Sequence, residues 1–72
     1  MAPPNNMPQL NRREQELAVL LAYGCTLREA AKSMRVAYKT ADAYRTNLYR
    51  KAHVRNAPEF VVWAVRAGII EP

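Results

Sequence analysis

Four segments of the chain carry apolar residues at the three- and four-residue spacing of amphipathic α-helices. In the first, from Leu10 to Gly24, leucines recur at that spacing along one side. Asn11 and Glu14 have the spacing of an N-terminal capping box, and Gly24 is a typical C-terminal stop. The pattern therefore predicts a first helix with a defined start and a defined end.

A second helix is predicted to begin at Thr26, which has the spacing of another capping box with Glu29. Only about three residues, 35–37, separate its end from a third helix at about 38–51. Ala37 stands where a capping Ser or Thr is expected, so tertiary packing has to hold this end of the third helix. Two helices joined by so short a turn, the second one basic and amphipathic, are typical of a helix-turn-helix.

A fourth helix is predicted at about 57–67, after a third capping box formed by Asn56 and Glu59. It is apolar nearly all round, and a chain of 72 residues has too little core to cover every side of it. The simplest cover is the same helix from a second copy, related by a two-fold axis. The residues assigned to this dimer interface are Phe60, Val61, Trp63, Ala64 and Ala67. For the two aromatic residues, a place in the monomer core is the alternative, because aromatics are common in both settings.

The third helix has an apolar side and a polar side when its residues are placed at intervals of about 100°. The apolar side holds Ala41, Tyr44, Leu48 and Ala52. The polar side holds Lys39, Asp42, Ala43, Thr46 and Arg50. Hydrogen-bonding residues interleaved with cations and an alanine favour a surface that contacts nucleic acid over a plain solvated face.

Charge is distributed unevenly along the chain, which has a formal net charge of +5. Residues 28–55 carry eight Lys or Arg and two acidic residues, whereas the rest of the chain carries three and four. The excess of +6 therefore surrounds the third helix, and it predicts a polyanionic partner.

Other classes of function find little support in the sequence. The single cysteine, Cys25, excludes an intramolecular disulfide and a cysteine-based zinc site, and it fits a reducing cytoplasm. His53 has no Cys or His partner at ligand spacing, so it is predicted to be a turn residue, and no metal or cofactor is expected. No nucleophile–base–carboxylate set and no glycine-rich phosphate loop is apparent, so an enzyme is not expected.

Residues 1–9 hold three prolines, two asparagines and no charged side chain, and they are predicted to form a flexible tail. Residues 10–72 are predicted to form one small domain. The start of the chain lacks the basic and apolar regions of a signal peptide, and no apolar segment approaches the length of a membrane span. The protein is therefore expected in the cytoplasm, without a membrane partner.

The predicted helices match the pattern of a known family. Residues 10–67 resemble the DNA-binding domain of the LuxR/GerE-type bacterial transcription regulators. The matching residues are Leu10 to Glu14, Leu20 to Gly24, Thr26, Glu29, Ala31, Thr40, Asn47 to Lys51 and Val54 to Asn56. The resemblance implies an all-α, four-helix helix-turn-helix domain that places its third helix in the major groove. It also implies dimerisation through the fourth helix on a two-fold symmetric DNA site.

The resemblance also assigns roles to individual residues. Base contacts fall to Asp42, Ala43 and Thr46. Phosphate contacts fall to Thr26, Thr40, Asn47 and Lys51, and the concentration of charge adds Lys39 and Arg50. The alternative for the cations of this set is that they are solvated charges that suit the end of a helix.

Asp42 departs from the family pattern, in which its position is often basic or neutral. A carboxylate is unfavourable beside phosphate, but it can accept a hydrogen bond from the N4 amino group of cytosine. Alternatively, Asp42 pairs with Lys39 and Arg45, which lie three residues before and after it. Tyr49, at the edge of the same face, could donate a hydrogen bond to phosphate or pack against the core.

These observations predict a stand-alone, sequence-specific DNA-binding transcription regulator, an activator, that binds double-stranded DNA as a homodimer. A contact with RNA polymerase or with another regulator follows from the resemblance alone. The alternative is a protein-interaction module that uses the same fold to bind such a partner without reading DNA.

Overall fold

Four α-helices make up the regular structure of residues 10–70. In the computed structural model, which describes residues 10–70, they are α1 (Arg12–Ala22), α2 (Leu27–Met34), α3 (Tyr38–Ala52) and α4 (Ala57–Arg66). No strand occurs among these residues, so the predicted all-α, four-helix fold is confirmed. No helix within this range combines the length and the apolar character needed to cross a membrane. The predicted tail, residues 1–9, lies outside the described range.

The starts of α1 and α2 are fixed by the two predicted capping boxes. At α1, the Asn11 side chain accepts from the backbone N–H of Glu14 at 2.8 Å, and Glu14 Oε1 accepts from the Asn11 N–H at 3.0 Å. At α2, Thr26 and Glu29 make the same reciprocal pair at 3.1 and 2.8 Å. Each box satisfies two backbone donors that a helix start leaves without intrahelical partners.

The starts of α3 and α4 differ from this pattern. No side chain caps α3, as expected from Ala37. At α4, the Asn56 side chain accepts from the Glu59 N–H at 2.9 Å, but Glu59 Oε1 accepts from the N–H of Arg55 at 2.8 Å. The capping box predicted for α4 is therefore only half formed, because the Glu59 carboxylate reaches one residue beyond the N-cap.

All four helices end in the same backbone arrangement, with one residue in the left-handed conformation and a pair of hydrogen bonds that closes the last turn. Two of these left-handed residues are glycines, Gly24 at φ 99° and Gly68 at φ 78°. The other two are Arg35 at φ 60° and His53 at φ 59°. A side chain in this conformation costs roughly 1–2 kcal/mol. Both helices of the helix-turn-helix thus end at a strained residue.

The core lies between α1 and α3, which each contact all three other helices, whereas α2 and α4 do not contact each other. The largest fully buried side chains are Leu17, Leu48 and Phe60, contributed by α1, α3 and α4. Fully buried alanines let the helices approach closely, and these are Ala18, Ala30, Ala41 and Ala64. This packing leaves one long face of α3 uncovered.

The first turn of α1 is bonded to the last residues of both helices of the helix-turn-helix. Arg13 Nη2 donates to the carbonyl oxygen of Met34, the last residue of α2, at 3.2 Å. The adjacent Glu14 is only 2% exposed, and its Oε1 accepts from Nζ of Lys51, next to the end of α3, at 2.7 Å. Two neighbouring side chains of α1 therefore hold the ends of α2 and α3 in place.

Candidate nucleic-acid interface

The buried and exposed sides of α3 divide largely as the sequence predicts. Ala41, Leu48 and Ala52 face the core, and Tyr44 is half-buried beside them. The exposed residues of the polar side are Lys39, Ala43, Thr46 and Arg50, and the half-exposed ones are Thr40, Asp42 and Asn47. The helix thus brings most of the predicted DNA contacts together on one continuous face.

Asp42 forms an ion pair with Arg45, a half-exposed residue outside the predicted polar side. Arg45 Nη2 donates to Asp42 Oδ1 at 2.7 Å, and the two side chains are 38% and 48% exposed respectively. The Thr46 hydroxyl donates to the backbone carbonyl of Asp42 at 3.0 Å. Of the two partners that the sequence allows for Asp42, the structure selects Arg45. Within residues 10–70, the second carboxylate oxygen, Oδ2, accepts no hydrogen bond.

Lys51 differs from the other predicted phosphate contacts, because its ammonium group is bound to the buried carboxylate of Glu14. Burial by itself raises the pKa of Glu14. The hydrogen bonds from Lys51 and from the Asn11 N–H, together with the charge of Lys51, outweigh that effect and leave the pKa below its ordinary value. Lys51 therefore has an internal structural role, and a contact with phosphate stays a prediction.

The junction between α2 and α3 contains a contact that the sequence analysis missed. The guanidinium of Arg28 lies over the ring of Tyr38, 5.2 Å from its centroid, as in a cation–π interaction. No capping or helical spacing links residues ten positions apart, so only the folded turn reveals the pair. Thr26, predicted to contact phosphate, is exposed nearby at the start of α2.

Tyr49 packs against the core at the edge of the α3 face. Its ring stacks on that of Phe60, with centroids 5.4 Å apart and an interplanar angle of 21°. The ring of Phe60 in turn packs against that of Trp63, with centroids 5.4 Å apart. The structure therefore supports the packing alternative for Tyr49, whose side chain remains half-exposed.

The dimer interface predicted on α4 needs correction. Phe60, Ala64 and Ala67 are at most 1% exposed, because they pack inside the monomer, and they are not available to a second copy. The exposed large apolar residues of α4 are instead Val61 and Val62, which are 40% and 52% exposed, with half-buried Trp63 beside them. Val62 is absent from the predicted set, because a helix that is apolar all round does not reveal which side faces its own core.

Metal-binding clusters are absent from residues 10–70, where no group of His, Cys, Asp and Glu is placed to hold an ion. His53 occupies the left-handed position that ends α3, which agrees with its prediction as a turn residue. Cys25 is a free, half-buried thiol.

Two helices joined by a tight turn, the second with an exposed face of cations and hydrogen-bonding groups, define a helix-turn-helix domain. The sequence pattern of the GerE family (bacterial regulatory proteins, luxR family) matches residues 8–64 of the chain. The protein belongs to this family, whose helix-turn-helix domain binds DNA, and the predicted resemblance is confirmed.

Regulatory proteins of bacteria are among its relatives. The chain is 31% identical to the oxygen regulatory protein NreC of Staphylococcus carnosus over 62 residues, which are 86% of this chain and 29% of NreC. It is 34% identical to the uncharacterised response regulatory protein YgeK of Escherichia coli over 61 residues, 85% of this chain and 42% of YgeK. The chain therefore spans less than half of either relative.

Two solved structures of VqmA share the fold. VqmA bound to DPO superposes with a TM-score of 0.81 at 27% identity, covering 88% of this chain and 32% of that one. The Vibrio cholera VqmA–ligand–DNA complex gives a TM-score of 0.80 at 25% identity, covering 96% of this chain and 30% of that one. One of these similar structures thus contains DNA.

Proposed function

We propose that this protein is a sequence-specific regulator of transcription that inserts α3 into the major groove of double-stranded DNA. The exposed face of α3 carries the proposal, because it combines cations with hydrogen-bonding side chains along one helix and lies in the most basic part of the chain. A major groove about 12 Å wide admits an α-helix, and such side chains contact both base edges and phosphates there.

Individual residues have distinct roles in this proposal. Asp42, Ala43 and Thr46 lie along the centre of the face and contact base edges. Phosphates are held by the residues that flank them, which are Thr26, Lys39, Thr40, Asn47 and Arg50. Lys51 adds positive potential to the end of α3, although its ammonium is bound to Glu14.

The proposed assembly is a homodimer that pairs the α4 helices of two copies. Val61 and Val62 are the exposed large apolar residues of α4, and they lie next to half-buried Trp63. A two-fold axis through this surface would bury both valines and would present two α3 helices to a symmetric DNA site.

The proposal also covers the role of the protein in the cell. The regulatory proteins to which the chain is similar suggest that DNA binding serves control of transcription, and we assign the protein an activating role. The protein would activate transcription by contacting RNA polymerase or another regulator in the bacterial cytoplasm. It would act by binding and not by catalysis.

A salt titration of binding to duplex DNA tests the central claim. Affinity is expected to fall as a power of salt concentration, because phosphate contacts release counterions. Arg50→Ala should reduce the salt slope by about one and weaken all duplexes alike, whereas Thr46→Ala should leave the slope unchanged and alter relative affinities among sequences. A dimeric protein that binds no duplex at ~50 mM salt would instead be the protein-interaction module, and the DNA-binding proposal would fail.

The dimer is tested by sedimentation of a matched pair of variants. Val62→Glu places a charge on the proposed interface and should yield a monomer. Val19→Glu introduces the same side chain at a valine of α1 that is similarly exposed, at 43%, and should leave the mass unchanged. A Val62→Glu protein with the mass of the wild-type dimer would place the interface elsewhere.

A further inference from the structure

The ion pair of Asp42 and Arg45 joins a residue of the exposed face of α3 to one beside that face, and both side chains are more than one-third exposed. Arg45 belongs to neither the base contacts nor the phosphate contacts assigned above. We infer that Asp42 and Arg45 act as one unit that reads a single G·C base pair in the major groove, with Asp42 on cytosine and Arg45 on guanine. This inference rests on the proposed function, since it names the base pair that the face recognises.

Pairing resolves the difficulty of an acid that faces DNA. A lone carboxylate on the polar side of α3 would be repelled by phosphates and would weaken binding to every sequence. The guanidinium of Arg45 at 2.7 Å neutralises that charge locally, so that Asp42 can approach the groove without a net negative field. The pair also fixes the rotamers of both side chains before DNA binds, which lowers the entropy lost on recognition.

The hydrogen-bonding groups that the ion pair leaves unused match those of a single base pair. Asp42 Oδ1 is bonded to Arg45, whereas Oδ2 accepts no hydrogen bond within residues 10–70 and remains available to the cytosine N4 amino group. Arg45 uses one N–H in the pair and retains others in the same planar fork for guanine O6 and N7. In the major groove, a G·C pair presents two adjacent acceptors, guanine N7 and O6, followed by the cytosine N4 donor. An A·T pair presents the adenine N6 donor between two acceptors, adenine N7 and thymine O4. The open groups of the pair therefore fit G·C better than A·T.

Neighbouring residues keep this surface open. Ala43 is exposed and too small to cover the pair, and the Thr46 hydroxyl donates back to the Asp42 carbonyl at 3.0 Å. A second ion pair at the same spacing, Arg13 with Glu16 at 2.8 Å, differs because the Arg13 guanidinium also donates to the Met34 carbonyl. Among the ion pairs within residues 10–70, the α3 pair therefore combines exposure and open hydrogen-bonding groups with a member, Asp42, on the proposed reading face.

Selection from random duplexes, followed by measured dissociation constants, tests the inference. The wild-type protein is expected to require G·C at one position of each half-site, with a loss of about 10-fold or more when that pair becomes A·T. Arg45→Ala should remove this discrimination at that one position and keep the preferences at the others. Arg55→Ala removes an ion-paired arginine outside α3 and should leave all preferences unchanged.

Two further measurements separate readout from a structural effect. Asp42→Asn keeps the shape of the side chain and should weaken the requirement for cytosine while the helical circular dichroism stays at the wild-type level. Replacement of the selected guanine by 7-deazaguanine removes the N7 acceptor, so it should weaken binding of the wild type but not of Arg45→Ala.

Failure of this inference is distinguishable from failure of the proposed function. A wild type that binds no duplex overturns both. A wild type that binds specific sequences, but whose preferences survive Arg45→Ala or whose binding ignores 7-deazaguanine, overturns the G·C assignment and leaves the proposed function standing.

Discussion

Lys51 Nζ and Glu14 Oε1 lie 2.7 Å apart across 37 residues of sequence, and they join the first turn of α1 to the C-terminal turn of α3. The same carboxylate oxygen accepts the N–H of Asn11 at 3.0 Å. A single atom therefore completes the cap of α1 and holds the end of the proposed recognition helix.

Removal of the lysine is expected to destabilise the fold. Lys51→Ala leaves a carboxylate that is 2% exposed without its charged donor, and the expected loss is about 2 kcal/mol or more in the free energy of unfolding. Urea unfolding followed by circular dichroism measures it. Arg50→Ala, which removes the adjacent and exposed cation, is the control and should change stability by no more than about 0.5 kcal/mol. Equal stabilities of the two variants would contradict the structural role of Lys51.

The lowered pKa of Glu14 leads to a second prediction, which concerns how the free energy of unfolding depends on pH. The fold favours the ionised carboxylate, so its contribution is complete above the ordinary value near 4.5 and is lost as the pH falls through the lower folded value. Glu14→Gln should therefore be less stable than the wild type at pH ~7, and the two unfolding free energies should converge as the pH falls below the lowered folded pKa of Glu14. If the difference in unfolding free energy between the two proteins stayed constant over this range, another group would govern the acid sensitivity.

The left-handed residues at the ends of α2 and α3 offer a stabilising change. Arg35→Gly and His53→Gly should each raise the free energy of unfolding by about 0.5–1 kcal/mol, because glycine adopts φ near 60° without the steric cost of a side chain. Lys32→Gly, at an exposed position inside α2, should lower it by about 1 kcal/mol. Thermal unfolding measures the stability of the three variants. A loss of stability in Arg35→Gly and His53→Gly would contradict the backbone strain assigned to these positions.

The uncapped start of α3 is a further site for stabilisation. Ala37 has the extended backbone of an N-cap, with φ −66° and ψ 152°, but no side-chain acceptor. Ala37→Ser should supply one and add about 1 kcal/mol to the free energy of unfolding, whereas Asn56→Ala should remove the existing cap of α4 and cost a similar amount. Chemical unfolding compares both variants with the wild type. An unchanged stability in Ala37→Ser would mean that packing already fixes this end.

Features governed by local spacing are the ones that the sequence reveals. The capping boxes of α1 and α2 form between residues three apart, and the polar side of α3 follows from helical periodicity alone. Contacts between distant segments leave no such signal. The partner of Lys51 and the stacking of Arg28 on Tyr38 become visible only in the fold.

The apolar helix α4 marks a different limit of sequence reasoning. Its pattern predicts burial on more than one side, whereas only one side is buried in the monomer, because the pattern does not separate a face buried in the monomer from one available to a second copy. Phe60 and Ala64 occupy the first, and Val62 belongs to the exposed surface. Glu59 similarly has the spacing of a capping box, yet its flexible side chain reaches Arg55 instead.

The bonds that Arg13 and Glu14 make with the ends of α2 and α3 also have a consequence for hydrogen exchange. Unwinding of the first turn of α1 breaks the hydrogen bonds that Arg13 makes with the Met34 carbonyl and that Glu14 makes with the Lys51 ammonium at the same time. Amides near the ends of α2 and α3 should then share one opening event with the start of α1, although the three segments are far apart in sequence. The helix-turn-helix would loosen as a unit from α1, and not by independent fraying of its own two helices.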